Sequence, residues 1–295
     1  MGFLIAGLSA VFYSLSNVLM KKGMRHSATD NGMLITLCIN ICLLGSLLGI
    51  SRWLAPVNGN TGDEMGLWLF LAAGFLTAFL GRMMLFSGIR KIGSSRAAGI
   101  KNSAPIFTLL FAIFILDETI IGMTWLGIGL IFLGLFVQGY VLFKKEGNKV
   151  DQFGFLISLG AALGFGIGQG VRKQALDYYP DPFAGAFFGA LAALLSFVLI
   201  TAFKRELLQT LKNNVTLPNR YYILGGIFTS LALLSFFISI SFIQVAYAGA
   251  ILAIEPIVTI MLSKVMLGSE EKVTVPLLVC ACLIFLGAGM ISLTA

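Results

Sequence analysis

Ten stretches of this chain are each long enough to cross a bilayer, and little sequence is left over. A hydrocarbon core about 30 Å thick needs roughly 20 apolar residues at about 1.5 Å of rise each. Runs of that length lie near 2–20, 32–51, 66–89, 94–116, 121–143, 153–175, 183–203, 221–242, 245–267 and 273–293. The longest polar connections, around 52–65 and 204–220, are too short to bury a core of their own. Composition agrees, with 58% hydrophobic and 11% charged residues where soluble domains are about a quarter charged. The expected fold is an all-α integral membrane protein of ten transmembrane helices, multi-pass in the cell (plasma) membrane.

Charge is distributed unevenly between the two ends of these runs. If all ten cross, Lys21, Lys22, Arg25, Arg90, Lys91, Lys144, Lys145, Lys149, Lys204, Arg205, Lys212, Arg220 and Lys272 share one face, against Arg52, Arg172 and Lys173 on the other. The positive-inside rule then places the first face in the cytoplasm and both termini outside. The net charge of +7 is explained by loops facing anionic lipid; basic residues scattered over short loops do not make a nucleic-acid surface.

The chain also repeats itself. GFLI opens a helix at 2–5 and again at 154–157; IGSSRAAGIKNSAPI (92–106) lies over IQVAYAGAILAIEPI (243–257), so Pro105 falls on Pro256. Both helices end in acid, at Asp117 and Glu118 and at Glu270 and Glu271, and IFLG follows at 131–134 and 284–287. The expected units are five helices over 1–143 and five over 152–295, with 144–151 a short connection. An odd number of helices per unit makes the second copy enter the membrane from the opposite side, so the repeats are inverted. That architecture recurs in secondary transporters, with the substrate site near the midplane between halves. Pro105 and Pro256 each lack an N–H and are expected to kink their helices, at matched places suited to gating.

Two copies of a small-residue-rich helix that reaches a Pro and runs on to an acidic end, each followed by an IFLG-type helix, resemble the EamA domain of the drug/metabolite transporter superfamily. The resemblance spans essentially the whole chain. It implies a ten-helix bundle that exports or exchanges small metabolites by alternating access, as a monomer or homodimer. It also implies both ends in the cytoplasm, the reverse of the charge rule.

Candidate substrate residues follow from the expense of charge inside lipid, at least about 2.5–3.5 kcal/mol for a central Arg or Lys. Arg96 lies roughly 7 Å from the nearest turn and is able to snorkel. Arg82 and Lys101 share a depth of roughly 14 Å on adjacent antiparallel runs. Glu255, directly before Pro256, is the only carboxylate well inside any run. It either pairs with Lys101 or Arg82 to hold the halves together or borders a site in which an unpaired cation meets a substrate carboxylate or phosphate. Tyr13, Asn17 and Gln169, on repeat-related helices, are read either as site residues or as interhelical hydrogen-bond partners; Asn102 and Tyr247 complete the candidate set. Gly160, Gly164 and Gly168, with Gly166 and Gly170 beside them, mark a close-packing face.

Other chemistry has little support. His26 is the single histidine and no HExxH or GxSxG motif occurs. Cys38, Cys42, Cys280 and Cys282 all fall in apolar spans and behave as small hydrophobes. No metal, cofactor, ATP motif or catalytic group is expected. The leading expectation is a secondary transporter of small organic metabolites, anionic or zwitterionic in charge. The alternatives are a lipid or lipid-linked-sugar flippase and a membrane-embedded lipid-modifying enzyme.

Overall fold

The computed structural model describes residues 1–25, 32–54, 63–92, 94–145, 151–205, 220–267 and 275–294. His26, most of the 144–151 connection and the acidic pair Glu270 and Glu271 lie outside the described residues. The described residues form ten helical passes. They are α1 (Gly2–Arg25), α2 (Gly32–Leu54), α3 (Glu64–Ile92), α4 in two halves (Ser94–Lys101 and Ala104–Phe114) and α5 (Thr124–Lys145). There follow α6 (Gln152–Tyr178), α7 (Pro182–Phe203), α8 (Arg220–Phe242), α9 in two halves (Val245–Leu252 and Glu255–Leu267) and α10 (Val275–Thr294). Eight of these are long and apolar enough to cross a membrane; α5 and α10 supply the shorter apolar stretches Thr124–Val137 and Cys282–Thr294. This is the all-α membrane fold that the hydropathy predicts.

Helix starts are set by side-chain caps. Asp63 accepts from Met65 N at 3.1 Å, Asp151 from Phe153 N at 3.2 Å, and Asp181 from Phe183 N and Ala184 N at 2.9 and 3.0 Å. Arg52, at the end of α2, holds the Asp181 carboxylate at 2.7 Å and so ties α2 to the α6–α7 turn.

Because lipid tails are as apolar as leucine, the helices associate through close backbone approach and hydroxyl bonds. Along the α1–α8 contact, Ser9 donates to Ala232 O at 2.7 Å, Ser16 to Gly225 O at 2.8 Å and Ser239 to Gly2 O at 3.0 Å. The α6 glycines work as the spacing predicts, but toward two partners. A Cβ at Gly164 would stand 3.1 Å from Leu76 O of α3, and one at Gly166 would stand 2.6 Å from Ala104 O of α4. The IFLG motifs serve the α5–α10 contact. A Cβ on Gly287 would stand 2.7 Å from the Ile131 side chain, and one on Gly134 would stand 2.7 Å from Ile284. The first residue of each motif is thus seated on the last residue of the other.

Three helices are irregular among the described residues. In α4 the break comes just before Pro105, where Ser103 N donates to Ile100 O and Ile106 N to Ser103 O, each at 3.0 Å. The α9 break before Pro256 has the same two bonds, Ile254 N to Ile251 O and Ile257 N to Ile254 O, again each at 3.0 Å. Each proline then sits in the first turn of the second half-helix, where its missing N–H is tolerated. Helix α3 carries a π-helical segment, Phe75–Gly81, that ends immediately before Arg82; such segments re-aim the side chains that follow them.

The two ends of the bundle differ. All eight residues of Val245–Leu252 are buried, packed on α1 and on the second half of α4. The acidic end of α4 reaches the same place, where the Glu118 carboxylate accepts from Val245 N at 2.8 Å and Ala246 N at 3.1 Å. At the opposite end, Glu255–Leu267 has α1 as its main neighbour and shares no extensive interface with Ser94–Lys101. The broken helices therefore meet at the end holding Gly2 and Val245 and splay apart toward the end holding Lys21, Lys22, Arg90 and Lys91.

Candidate substrate site

The polar residues gather where the broken helices cross. Glu255 and Lys101 occupy the two breaks, and Tyr13 is at the middle of α1, so all three lie near half-depth. Lys101 Nζ stands 3.7 Å from Glu255 Oε1, and the same oxygen accepts from Asn17 Nδ2 at 2.7 Å. The two charged side chains keep 21% and 14% of their surface exposed, and Asn17 is exposed, so this cluster opens toward the splayed end. Ser14 donates to Glu255 O at 2.9 Å, holding the start of the second half of α9 against α1. The Lys101 ammonium also lies 5.4 Å from the Phe165 ring centroid, a cation–π distance.

A second group lies about one helical turn nearer the closed end, the spacing of Tyr13 from Asn17. Arg172 is buried, with 7% exposure; its Nη2 donates to Thr77 Oγ1 at 2.7 Å, and the guanidinium lies beside the Tyr13 phenol. The guanidinium sits over Phe236 and Phe237, at 5.8 and 5.5 Å from their centroids. Arg82, half-buried, lies on α3 within electrostatic range of the same phenol. Among the described residues no carboxylate lies within ion-pair distance of Arg82 or Arg172.

The other candidates are placed as follows. Gln169 is in the closed half, where Oε1 accepts from Thr108 Oγ1 at 3.3 Å and lies 3.6 Å from where a Cβ on Gly249 would stand; it links α6, α4 and α9. Tyr247 stands apart, buried, with its ring 6.4 Å from that of Phe3 near the start of α1. Asn102 is half-buried in the α4 break, three residues before Pro105, and the side chain of Arg96 lies outside the described residues.

Arg172 is the residue that sequence reasoning misplaced. Counted among the loop cations, it is enclosed because α6 runs on to Tyr178. A signal was available: Arg172 continues the four-residue spacing of Gly160, Gly164 and Gly168, and so falls on the buried face of α6. Thr77 had no such signal, because the π-helical segment around it shifts the register of α3.

The fold and its polar centre define a multi-pass membrane bundle with broken helices crossing at half-depth, a form suited to carrying a solute. The chain belongs to the EamA-like transporter family, whose model matches it twice, over residues 1–139 and 152–293, and it is a membrane transporter of the drug/metabolite type. An uncharacterized transporter of Clostridium kluyveri is 23% identical over 285 residues, covering 93% of this chain and 88% of that protein. The UDP-galactose transporter homolog 1 of Schizosaccharomyces pombe is 25% identical over 143 residues, 46% of this chain and 43% of that protein. A solved crystal structure superposes with a TM-score of 0.72 at 17% identity, covering all of this chain (100%) and 97% of the other, a likeness of fold.

Proposed function

We propose that the protein is a secondary transporter, an exporter or exchanger, that moves small organic anions by alternating access between two inverted five-helix repeats, 1–143 and 152–295. The observation that carries this reading is the crossing of the two broken helices at a polar centre that is closed at one end and splayed at the other. A rocking of the halves about the Pro105 and Pro256 breaks would exchange which end is splayed, because each break has already replaced regular helical bonds with a short turn. Substrate meets Tyr13, Asn17, Arg82, Lys101, Arg172 and Glu255; Gln169 belongs to the closed gate in this reading, and Tyr247 to the packing behind it.

Among the described residues, three interior cations against one carboxylate favour an anionic solute, and the relative named for UDP-galactose is one whose named solute is itself an anion. Counterflow tests the reading. Liposomes holding the purified protein and preloaded with an unlabelled pool of amino acids, organic acids, nucleosides, sugars and sugar phosphates are diluted into the isotope-labelled pool, and retained label is identified by mass. Retention of organic anions above protein-free liposomes is expected. Retention of cations or neutral solutes alone overturns the anion assignment, and movement of labelled lipid between leaflets without solute retention favours a flippase.

A further inference from the structure

Resting on that reading, we infer that the solute carries two negative charges, and that its anionic group or groups bridge Arg82 and Arg172 beside Tyr13. The charge balance leads there. Of the three cations at the centre, Lys101 has its own carboxylate, at 3.7 Å, and that pair is locally neutral. Arg82 and Arg172 have none among the described residues, and both lie within electrostatic range of one phenol; Arg172 is fixed there by its bond to Thr77. Arg172 is buried and Arg82 half-buried. Tyr13 is the midpoint of a 24-residue helix, and Thr77, which accepts from Arg172, is central in α3. Two uncompensated guanidiniums at half-depth are costly, and an anion drawn in between them offsets that cost.

The chemistry of the two residues narrows the class further. Guanidinium groups bind carboxylate and phosphate through paired N–H donors, whereas a lysine offers a point charge. The Arg172 plane is held on one side by Phe236 and Phe237 and fixed at Nη2 by Thr77, so its remaining donors are pre-aimed. A phosphate monoester or a dicarboxylate supplies two charges and enough acceptors for both guanidiniums; a monocarboxylate neutralises only one of them. An amino-acid zwitterion brings an ammonium that finds one acid, Glu255, already engaged by Lys101 and Asn17.

The test reads charge selectivity, not mere activity. In the counterflow experiment at about pH 7.5, the retained solutes are expected to be dianions, exceeding monoanionic and zwitterionic pool members by tenfold or more. Arg172→Gln and Arg82→Gln are each expected to lower the dianion-to-monoanion ratio by about tenfold, the effect of one charge-assisted hydrogen bond, while Arg172→Lys keeps the charge and restores part of the ratio. Preferred retention of monoanions or zwitterions overturns the dianion assignment and leaves transport standing. Retention of no solute of any charge overturns transport itself. A variant that loses all uptake in proportion, with the ratio unchanged, places that arginine in the structure and outside the site.

Discussion

Lys101 and Glu255 form an ion pair across the two broken helices, 3.7 Å apart; Lys101 is the last residue of the first half of α4, and Glu255 is the first residue of the second half of α9, directly before Pro256. The pair joins the half of the chain that holds α4 to the half that holds α9, and Asn17 of α1 donates to the same carboxylate oxygen at 2.7 Å. Its side chains are neither fully dry nor fully wet, so its worth lies between that of a surface pair and that of a buried one.

Neutralising the acid alone leaves Lys101 without its partner, while the amide oxygen of a glutamine can still accept from Asn17. Glu255→Gln is therefore expected to lower the stability of the detergent-solubilised protein by about 1–3 kcal/mol, and the double variant with Lys101→Gln to recover part of it. Thermal melting of the four proteins of this cycle gives the coupling energy. A double variant no more stable than Glu255→Gln would show that the two residues do not act on each other.

Much of the fold was legible because its causes are local. Apolar runs of membrane length, the two prolines, the IFLG motifs and the glycine spacing each act through their own neighbours, and each reappears as a helix, a break or a packed face. The site was legible only in part. Lys101 and Glu255 stood out as charges inside long apolar runs, but Arg172 sat near the end of a run and was assigned to a loop. Its depth depends on how far α6 extends, which is to Tyr178, and the turn that follows is held by the Arg52–Asp181 contact between distant parts of the chain. The π-helical segment of α3 had no sequence signature, since its extra residue is accommodated by packing against α6 and α7.

The α5–α10 contact is expected to be intolerant of added volume at its paired glycines and tolerant elsewhere on the same helices. A Cβ at Gly127 would stand 2.8 Å from Gly287 O, whereas Gly129 and Gly289 have nothing within 4 Å. Gly127→Ala should destabilise by about 1–3 kcal/mol, and Gly129→Ala should be neutral or stabilise by up to about 1 kcal/mol through reduced backbone freedom. Melting temperatures of the two variants check the contrast; equal effects would remove the proposed role of the glycine pair.

Glu118 closes one end by capping the start of α9, and its burial pushes the carboxyl above the usual range, against the opposing pull of the Val245 and Ala246 N–H groups. A raised folded-state value means that the folded protein binds this proton more readily than the unfolded chain. This contribution to stability is present in full below the ordinary carboxylate value and is lost as pH rises through the raised one. Wild-type protein should thus gain stability relative to Glu118→Gln as pH falls from neutral toward that window. At neutral pH Glu118→Gln should be mild and Glu118→Ala costlier, by about 1 kcal/mol. Melting curves of the three proteins between about pH 4.5 and 7.5 resolve differences of the size such caps contribute, about 0.5–2 kcal/mol; an opposite pH trend would refute the sign.

The uncompensated arginines have a consequence for the transport cycle. In the proposed cycle, a dianion in the centre cancels the charges of Arg82 and Arg172, so the loaded halves would rock without moving net charge through the field. The empty centre has no such cancellation, and each elementary charge carried across 100 mV changes the energy by about 2.3 kcal/mol. Return of the empty carrier should therefore be slow and sensitive to membrane potential, while exchange of one bound dianion for another should be fast and insensitive to it. In liposomes holding the full chain, efflux of a retained solute into solute-free buffer is expected to accelerate about tenfold or more when the same solute is added outside. A potassium diffusion potential set with valinomycin should alter the first flux and leave the second unchanged. Arg172→Gln should bring the two fluxes closer together, because it removes one of the charges that the empty centre has to carry. Equal rates of net efflux and exchange in the wild-type protein, both indifferent to potential, would show that Arg82 and Arg172 do not move through the field as uncompensated charge.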